Sequence, residues 1–313
     1  MNLLVVWDEL TPQWLDRIAA ETGANLMVSR SKDEAAEMIS SAHVGLGFVP
    51  PALLRDASSM KWLQTAYAGV EGVLGVPWGN PEMILTNGSG IFGPNIAEQI
   101  IGMMISFTRG LHKARDAQKQ RQWKWPYSFG ELYGSRVGLL GYGDIGRETA
   151  KRLKVFGCQL TAIRRSPSEA DEWVDAVYPW TELENVLPQL DFLVCSLPHT
   201  EATAGMLPLR RLQMLPKHAV VVNVGRGSLM PEPDLVEALE TGCIAGAALD
   251  VTAVEPLPTE SRLWELDNVV LTPHNSGQTP YHVERGLQIF FDNWQRFREG
   301  KALKNLVTPD LGY

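Results

Sequence analysis

"VGLLGYGDIGRETAKRL", residues 137–153, is the stretch on which the fold turns. An apolar run, Val137 to Leu140, leads into Gly141-x-Gly143-x-x-Gly146. Alanine and leucine then recur at helical spacing. The pattern reads as strand, tight turn and helix. The first glycine permits the turn, the second lets a pyrophosphate approach the backbone, and the third lets helix and strand pack closely. The amino end of the helix, with Asp144 and Ile145, faces the phosphates. Three glycines at this spacing alone would carry little weight; the flanking strand and helix give them meaning.

Further strands follow. "RVGLLG", "QLTAI", "FLVCSL", "AVVVNV", "AGAALD" and "VVLTPH" are continuous apolar runs, which suit strands buried on both faces. The first hundred residues alternate in the same way. "LLVVW" (3–7), "NLMVS" (25–29), "VGLGFV" (44–49), "WLQTAY" (62–67) and "MILTN" (83–87) read as strands. Thr11 and Pro12 read as an N-cap and first helical residue, and Gly23 closes that helix. "GSGIFGPNIA" (88–97) reads as a hinge entering one long helix over about 95–121, and a last helix over about 280–299 crosses back to the first domain. The expected fold is α/β with two open parallel-sheet domains. A Rossmann-type nucleotide domain, 96–282, is inserted into a flavodoxin-like substrate domain made of 1–95 and 283–313.

The totals narrow the function. The chain has 313 residues and a net charge of −8, with no long basic run, so nucleic acid is not an expected partner. Cys158, Cys195 and Cys243 lie scattered in apolar stretches and fit neither a metal spacing nor a disulfide framework. They point to a reducing compartment, and a cytoplasmic location is expected. "MNLLVVWDEL" reads as a first strand rather than a signal peptide, and "IIGMMISF" is far shorter than a membrane span. No metal and no membrane are expected.

"TAIRRSP", residues 161–167, ends the strand after the fingerprint. NAD-selective domains put Asp or Glu near this place, to accept from the ribose hydroxyls. Here Arg164 and Arg165 stand instead, with Ser166 next. Arginines pair with a 2′-phosphate by charge-assisted bonds. The expected cofactor is therefore NADP(H) in preference to NAD(H).

Three further strand ends carry chemistry. "VVVNVGRGSLM" puts Arg226 after a buried strand, "AALDVTAVEPLP" puts Asp250 at a strand end with Glu255 five residues on, and "VVLTPHNSGQT" puts His274 after another. Open α/β sheets bind ligands past the carboxyl ends of their strands. "TAYAGVEGV" is a glycine-containing turn after a strand of the first domain.

In order and spacing, "AGVEGV", "AEQI", "LLGYGDIG", "LPHTEAT", "NVGRGSLM", "LDVTAVEPLP" and "TPHNSGQT" resemble the D-isomer-specific 2-hydroxyacid dehydrogenase family over nearly the whole chain. The best-matching branch is the glyoxylate/hydroxypyruvate reductase and phosphoglycerate dehydrogenase group. The resemblance implies His274 as proton donor, Glu255 as the carboxylate that favours its charged form, and Arg226 as the cation holding the substrate carboxylate. Backbone N–H groups of Ala68, Gly69 and Val70 would take the other side of that carboxylate. Asp250 would orient the nicotinamide amide. Leu197, Pro198 and Thr203, with Val224 and Gly277, would line the cofactor. Tyr67 and "FVPP" (48–51) would select among small 2-keto or 2-hydroxy acids. Trp123 and Trp125 would belong to an arm that packs on a second subunit, giving a homodimer. Two alternatives share the fold, a formate dehydrogenase and a nucleotide-sensing, corepressor-like binding protein. The His274 and Glu255 pairing argues against the first, since formate offers such a pair no proton to handle.

Overall fold

The computed structural model describes residues 1–124, 130–166, 169–309 and 312. Two compact units divide the chain, Met1–Phe92 with Thr279–Tyr313, and Gly93–Gln278. Each unit is built on one wholly parallel sheet.

In the first unit the strands are β1 (Asn2–Val6), β2 (Asn25–Ser29), β3 (Val44–Gly47), β4 (Trp62–Thr65) and β5 (Ile84–Thr86). Their order is β2-β1-β3-β4-β5, the flavodoxin-like arrangement. The helix Pro12–Thr22 starts at Pro12 and stops at Gly23, whose φ of 62° lets the chain leave the helix. Thr11 caps it without a side-chain bond. The helix His282–Arg298 packs on this sheet: Trp62 stacks on Phe290 with ring centroids 5.3 Å apart, and Trp294 and Phe297 flank it. A buried polar chain ties the same parts together. The Trp62 indole donates to Thr86 Oγ1 at 2.8 Å, and Gln64 Oε1 accepts from Thr86 Oγ1 at 2.8 Å and from Asn293 Nδ2 at 3.0 Å. Polar groups without water access need such partners.

In the second unit the strands are β6 (Arg136–Leu140), β7 (Gln159–Arg164), β8 (Ala176–Pro179), β9 (Phe192–Cys195), β10 (Val220–Asn223), β11 (Gly246–Leu249) and β12 (Val269–Leu271). The order β12-β11-β10-β9-β6-β7-β8 is the Rossmann order extended by one strand, and it reverses between β6 and β9. β9 and β10 are buried throughout, as their unbroken apolar runs require.

Two expectations change. The long helix is two helices, Gly93–Thr108 and Leu111–Lys119. Gly110 adopts φ 60°, a left-handed residue that ends one helix before the next begins. Strand β8 escaped the pattern reading because Tyr178 is exposed and Asp175, just before it, is polar; it is an edge strand with an open side. Trp125 lies outside the described residues. Among the described residues no helix is long and apolar enough to cross a membrane.

Asp191 laces the amino ends of three neighbouring strands. It accepts from the Arg136 backbone N–H at 2.7 Å, the Arg136 guanidinium at 2.8 Å and His218 Nε2 at 2.8 Å. Burial pulls its carboxyl upward, but the bonds from Arg136 and His218 outweigh that and hold it at about 2. An unfolded aspartate titrates near pH ~3.9, so the depressed value contributes about 2 kcal/mol, present above that pH and lost as the pH falls through 2. Asp191→Asn is expected to lower the unfolding free energy by about 1–3 kcal/mol at pH 7. The two proteins should converge as the pH drops from 4 toward 2. Urea titrations at several pH values check this, and equal stability at pH 7 contradicts it.

Candidate active site

The site residues of the second unit stand where β6, β7, β9, β10, β11 and β12 end. β6 stops at Leu140, and Gly141 turns the chain with φ 105°. A Cβ on Gly146 would lie 2.3 Å from the Gly141 carbonyl oxygen, so glycine is what lets the helix Asp144–Val155 sit on the turn. A Cβ on Gly143 would meet nothing within 4 Å, and no side chain caps this helix. Open space therefore stands over the amino end of this helix, and a pyrophosphate fits that cradle. The Asp144 carboxylate itself lies against Gly93.

The next strand, β7, ends in Arg164, with Leu140 of β6 opposite Ile163. Arg164 and Arg165 are half-buried and Ser166 is exposed. Leu197 and Val224 follow β9 and β10 and are buried. Thr203 is buried too, and its hydroxyl donates to the Pro198 carbonyl at 2.7 Å, closing the 198–203 loop on itself. Gly277 is half-buried.

Arg226 sits on a turn shaped by a residue that sequence reasoning passed over. Asn223, fully buried, accepts from the Gly225 N–H at 3.1 Å and donates to the Arg226 carbonyl at 3.0 Å. Arg226 itself reaches back to the Gly225 carbonyl at 2.9 Å. A Cβ on Gly227 would stand 2.0 Å from the Thr252 carbonyl, so glycine brings this turn against the segment that carries Glu255.

His274 and Glu255 meet directly. Nδ1 lies 2.7 Å from Glu255 Oε2, and Glu255 Oε1 accepts from the Thr252 N–H at 3.0 Å. Holding Nδ1 orients the ring and leaves Nε2 as the nitrogen for proton exchange. His274 has φ 48°, a conformation that costs a non-glycine residue roughly 1–2 kcal/mol. Asp250, 1% exposed, holds it there. Its main-chain carbonyl accepts from the His274 N–H at 2.8 Å. Its carboxylate accepts from Thr272 Oγ1 at 2.6 Å, from the Asn275 and Ser276 N–H groups at 3.1 Å each, and from Ser276 Oγ. Gln99 of "AEQI" donates to Thr272 Oγ1 at 3.3 Å. A cavity of about 590 Å³ adjoins the pair, walled by Pro256, Leu257, Trp264 and Leu271.

In the first unit, the turn after β4 carries Ala68, Gly69 and Val70. Its carbonyls are taken: Tyr67 accepts from the Gly88 N–H at 2.8 Å and Ala68 from Asn87 Nδ2 at 2.9 Å. Among the described residues the N–H groups of Ala68, Gly69 and Val70 donate to no partner. Successive unpaired amides suit an anion. Phe48 packs on Tyr67 with centroids 5.6 Å apart. Burial, helped by Glu71, pushes the Tyr67 phenol above its ordinary value.

A Rossmann-order sheet with a glycine cradle at its switch point, and a histidine–carboxylate pair past the ends of β11 and β12, defines a nicotinamide-dependent oxidoreductase. Residues 101–276 match the family described as D-isomer specific 2-hydroxyacid dehydrogenase, NAD binding domain. The chain belongs to that family, and it is a dehydrogenase. It is 30% identical over 269 residues to a glyoxylate/hydroxypyruvate reductase of Arabidopsis thaliana, covering 84% of this chain and 80% of that protein. Among solved structures, a D-isomer specific 2-hydroxyacid dehydrogenase family protein of Aeromonas salmonicida is 34% identical with a TM-score of 0.86, over 99% of both chains. An NADPH-dependent glyoxylate/hydroxypyruvate reductase of Sinorhizobium meliloti, solved with NADP and sulfate, is 26% identical with a TM-score of 0.85, over 100% of this chain and 99% of that one.

Asp250→Ala strands the donors of the 272–276 loop. It is expected to lower the unfolding free energy by about 2–4 kcal/mol and to cut turnover at least about tenfold. Calorimetry and steady-state rates measure both; a variant unchanged in each shows that the loop keeps its shape without this carboxylate.

Proposed function

We propose that the protein is an NADPH-dependent reductase of small 2-keto acids, of the glyoxylate/hydroxypyruvate type, forming D-2-hydroxy acids. The observation that carries this reading is the His274–Glu255 pair, 2.7 Å apart beside the Arg226 turn. The names of the Arabidopsis and Sinorhizobium relatives support the substrate class.

In this reading the unit Met1–Phe92 with Thr279–Tyr313 takes the substrate, and Gly93–Gln278 takes the cofactor. The bound dihydronicotinamide supplies the hydride that reaches the keto carbon. His274 gives its Nε2 proton to the carbonyl oxygen, so the alkoxide never accumulates. Glu255 keeps the ring oriented throughout. Arg226 would hold the substrate carboxylate with its planar fork, and in the first unit the amides of Ala68, Gly69 and Val70 suit a carboxylate. Gly141, Gly143 and Gly146, with Leu197, Pro198, Thr203, Val224 and Gly277, would hold the cofactor, and Arg164, Arg165 and Ser166 would hold its 2′-phosphate. Asp250 orients the nicotinamide amide in this reading, and its carboxylate also holds the 272–276 loop through the bonds from Thr272, Asn275 and Ser276. A homodimer belongs to the proposal, supported by Trp123, which stands fully exposed, and by the half-exposed Leu111.

Kinetics with glyoxylate and hydroxypyruvate test the reading. The expected kcat/KM with NADPH exceeds that with NADH by roughly 10–1000-fold, because two arginine–phosphate bonds contribute about 3 kcal/mol. His274→Asn is expected to lower kcat by roughly 10²–10⁴-fold while NADPH binds nearly as before. A variant that turns over at the wild-type rate removes His274 from the chemistry, and equal use of both cofactors removes the phosphate role of Arg164 and Arg165. Light scattering at micromolar concentration should give the mass of two chains; a monomer contradicts the dimer.

A further inference from the structure

Past the end of β9, residues 196–207 run as a strap beside the switch point of the second unit's sheet. The near end is fixed to the glycine turn, where Ser196 Oγ donates to the Gly141 carbonyl at 3.2 Å. The strap also lies against the turn that carries Arg226. A Cβ on Gly225 would stand 2.6 Å from the Leu197 carbonyl oxygen, so glycine is what admits the strap there. Further along, the Gly205 N–H donates to the Ser228 carbonyl at 2.8 Å, and the Leu207 N–H to the Leu229 carbonyl at 3.0 Å. One side-chain bond completes the lacing: His199 Nδ1 and Ser228 Oγ lie 2.7 Å apart. Ser228 stands two residues past Arg226, in the short helical turn Gly227–Leu229, whose Leu229 N–H donates back to the Arg226 carbonyl at 3.2 Å.

These bonds differ in what they depend on. The main-chain bonds hold the carbonyls of Ser228 and Leu229, and Asn223 holds the Arg226 carbonyl from the strand side. The bond from His199 is different in kind. His199 is exposed and Ser228 half-buried, so water competes for both partners. The bond is kept only while the start of the strap stays in place. Thr203 helps to keep it there by donating to the Pro198 carbonyl. In the reading above, Leu197, Pro198 and Thr203 of this strap would hold the cofactor and Arg226 the keto acid. A ligand that orders the strap then favours the bond, and the bond steadies the turn that carries Arg226. Such a coupling between two ligands is reciprocal.

We propose that His199 is a positioning residue for Arg226: through Ser228 it ties the cofactor-side strap to the turn that would hold the substrate carboxylate. The proposal rests on the keto acid reading above. It gives His199 no contact with the substrate and no proton to carry.

Steady-state kinetics with glyoxylate test it in the intact protein, together with calorimetric binding of NADPH and of oxamate, an unreducible mimic of a 2-keto acid. His199→Ala and Ser228→Ala should each raise the KM for glyoxylate, and the Kd for oxamate in the presence of NADPH, about 3–10-fold, the range for one neutral hydrogen bond. The kcat, and the Kd for NADPH alone, should change less than about twofold, as a loss of uniform substrate binding requires. The double variant should be no weaker than the worse single one, because both changes remove the same bond. His199→Asn puts an amide where Nδ1 stands and should keep KM within about twofold of the wild-type value. Additive losses in the double variant overturn the proposal, and so does an Asn variant as poor as the Ala one. An NADPH Kd that rises as much as KM also overturns it, since His199 would then serve the cofactor itself. A wild-type protein that reduces no 2-keto acid and binds no oxamate sinks the reading above, and this inference with it. Wild-type turnover with variants that keep the wild-type KM overturns the His199 link alone.

Discussion

A carboxylate shut away from water needs a donor for every lone pair, and Asp250 obtains four from one short loop. Nearly everything in the site hangs from that constraint. The donors can converge only if residues 272–276 curl back over the end of β11, and the curl puts His274 at positive φ. The strain of roughly 1–2 kcal/mol is small against four bonds to a charged acceptor. The curl in turn brings the imidazole to Glu255. Helix Gly93–Thr108 secures the loop from outside, Gln99 on Thr272 and Asn95 on the Ser276 carbonyl at 2.6 Å. Thus the orientation of one imidazole is set by a strand end, a loop and a helix that lie far apart in the chain.

The parts of the fold legible in the sequence were those whose physics is local. Gly141 answers to its own backbone, at φ 105°, and Gly146 to the Gly141 carbonyl five residues back, so their spacing carries the turn. β9 and β10 are buried on both faces, and their unbroken apolar runs follow from that. Pro12 and Gly23 mark helix ends because each fixes its own backbone. Gly110 was passed over because its neighbours on both sides suit a helix, and a single left-handed residue leaves no trace in hydrophobic periodicity. β8 was missed for a similar reason. An edge strand need not be apolar on both sides, and Tyr178 faces out.

The site divides along the same line. Arg226, Glu255 and His274 lie just past strand ends, and their residue types stand out there. Asn223, Thr272 and Ser276 do not announce themselves. Each is a small polar residue in a run of ordinary ones, and its value comes from a partner the pattern does not reveal. Ser276 and Thr272 both lie inside "TPHNSGQT", yet nothing in those letters says that their hydroxyls turn toward a residue more than twenty positions upstream. A bond to a partner that only the fold brings near is what separates these groups from their kin, and such a partner is a property of the folded chain.

The first unit is written in two pieces, residues 1–92 and 279–313. Its Trp62 and Gln64 find Phe290 and Asn293 only after the whole of 93–278 has been made. At the usual pace of synthesis, about 5–20 residues per second, that interval is on the order of 10–40 s. A nascent chain therefore presents a sheet that has all five strands but lacks its covering helix, with the aromatic face of Trp62 open, for that long. The second unit, though later in the message, is one continuous stretch and has all its elements before the first unit receives its last helix. In this molecule the unit begun first is the one completed last.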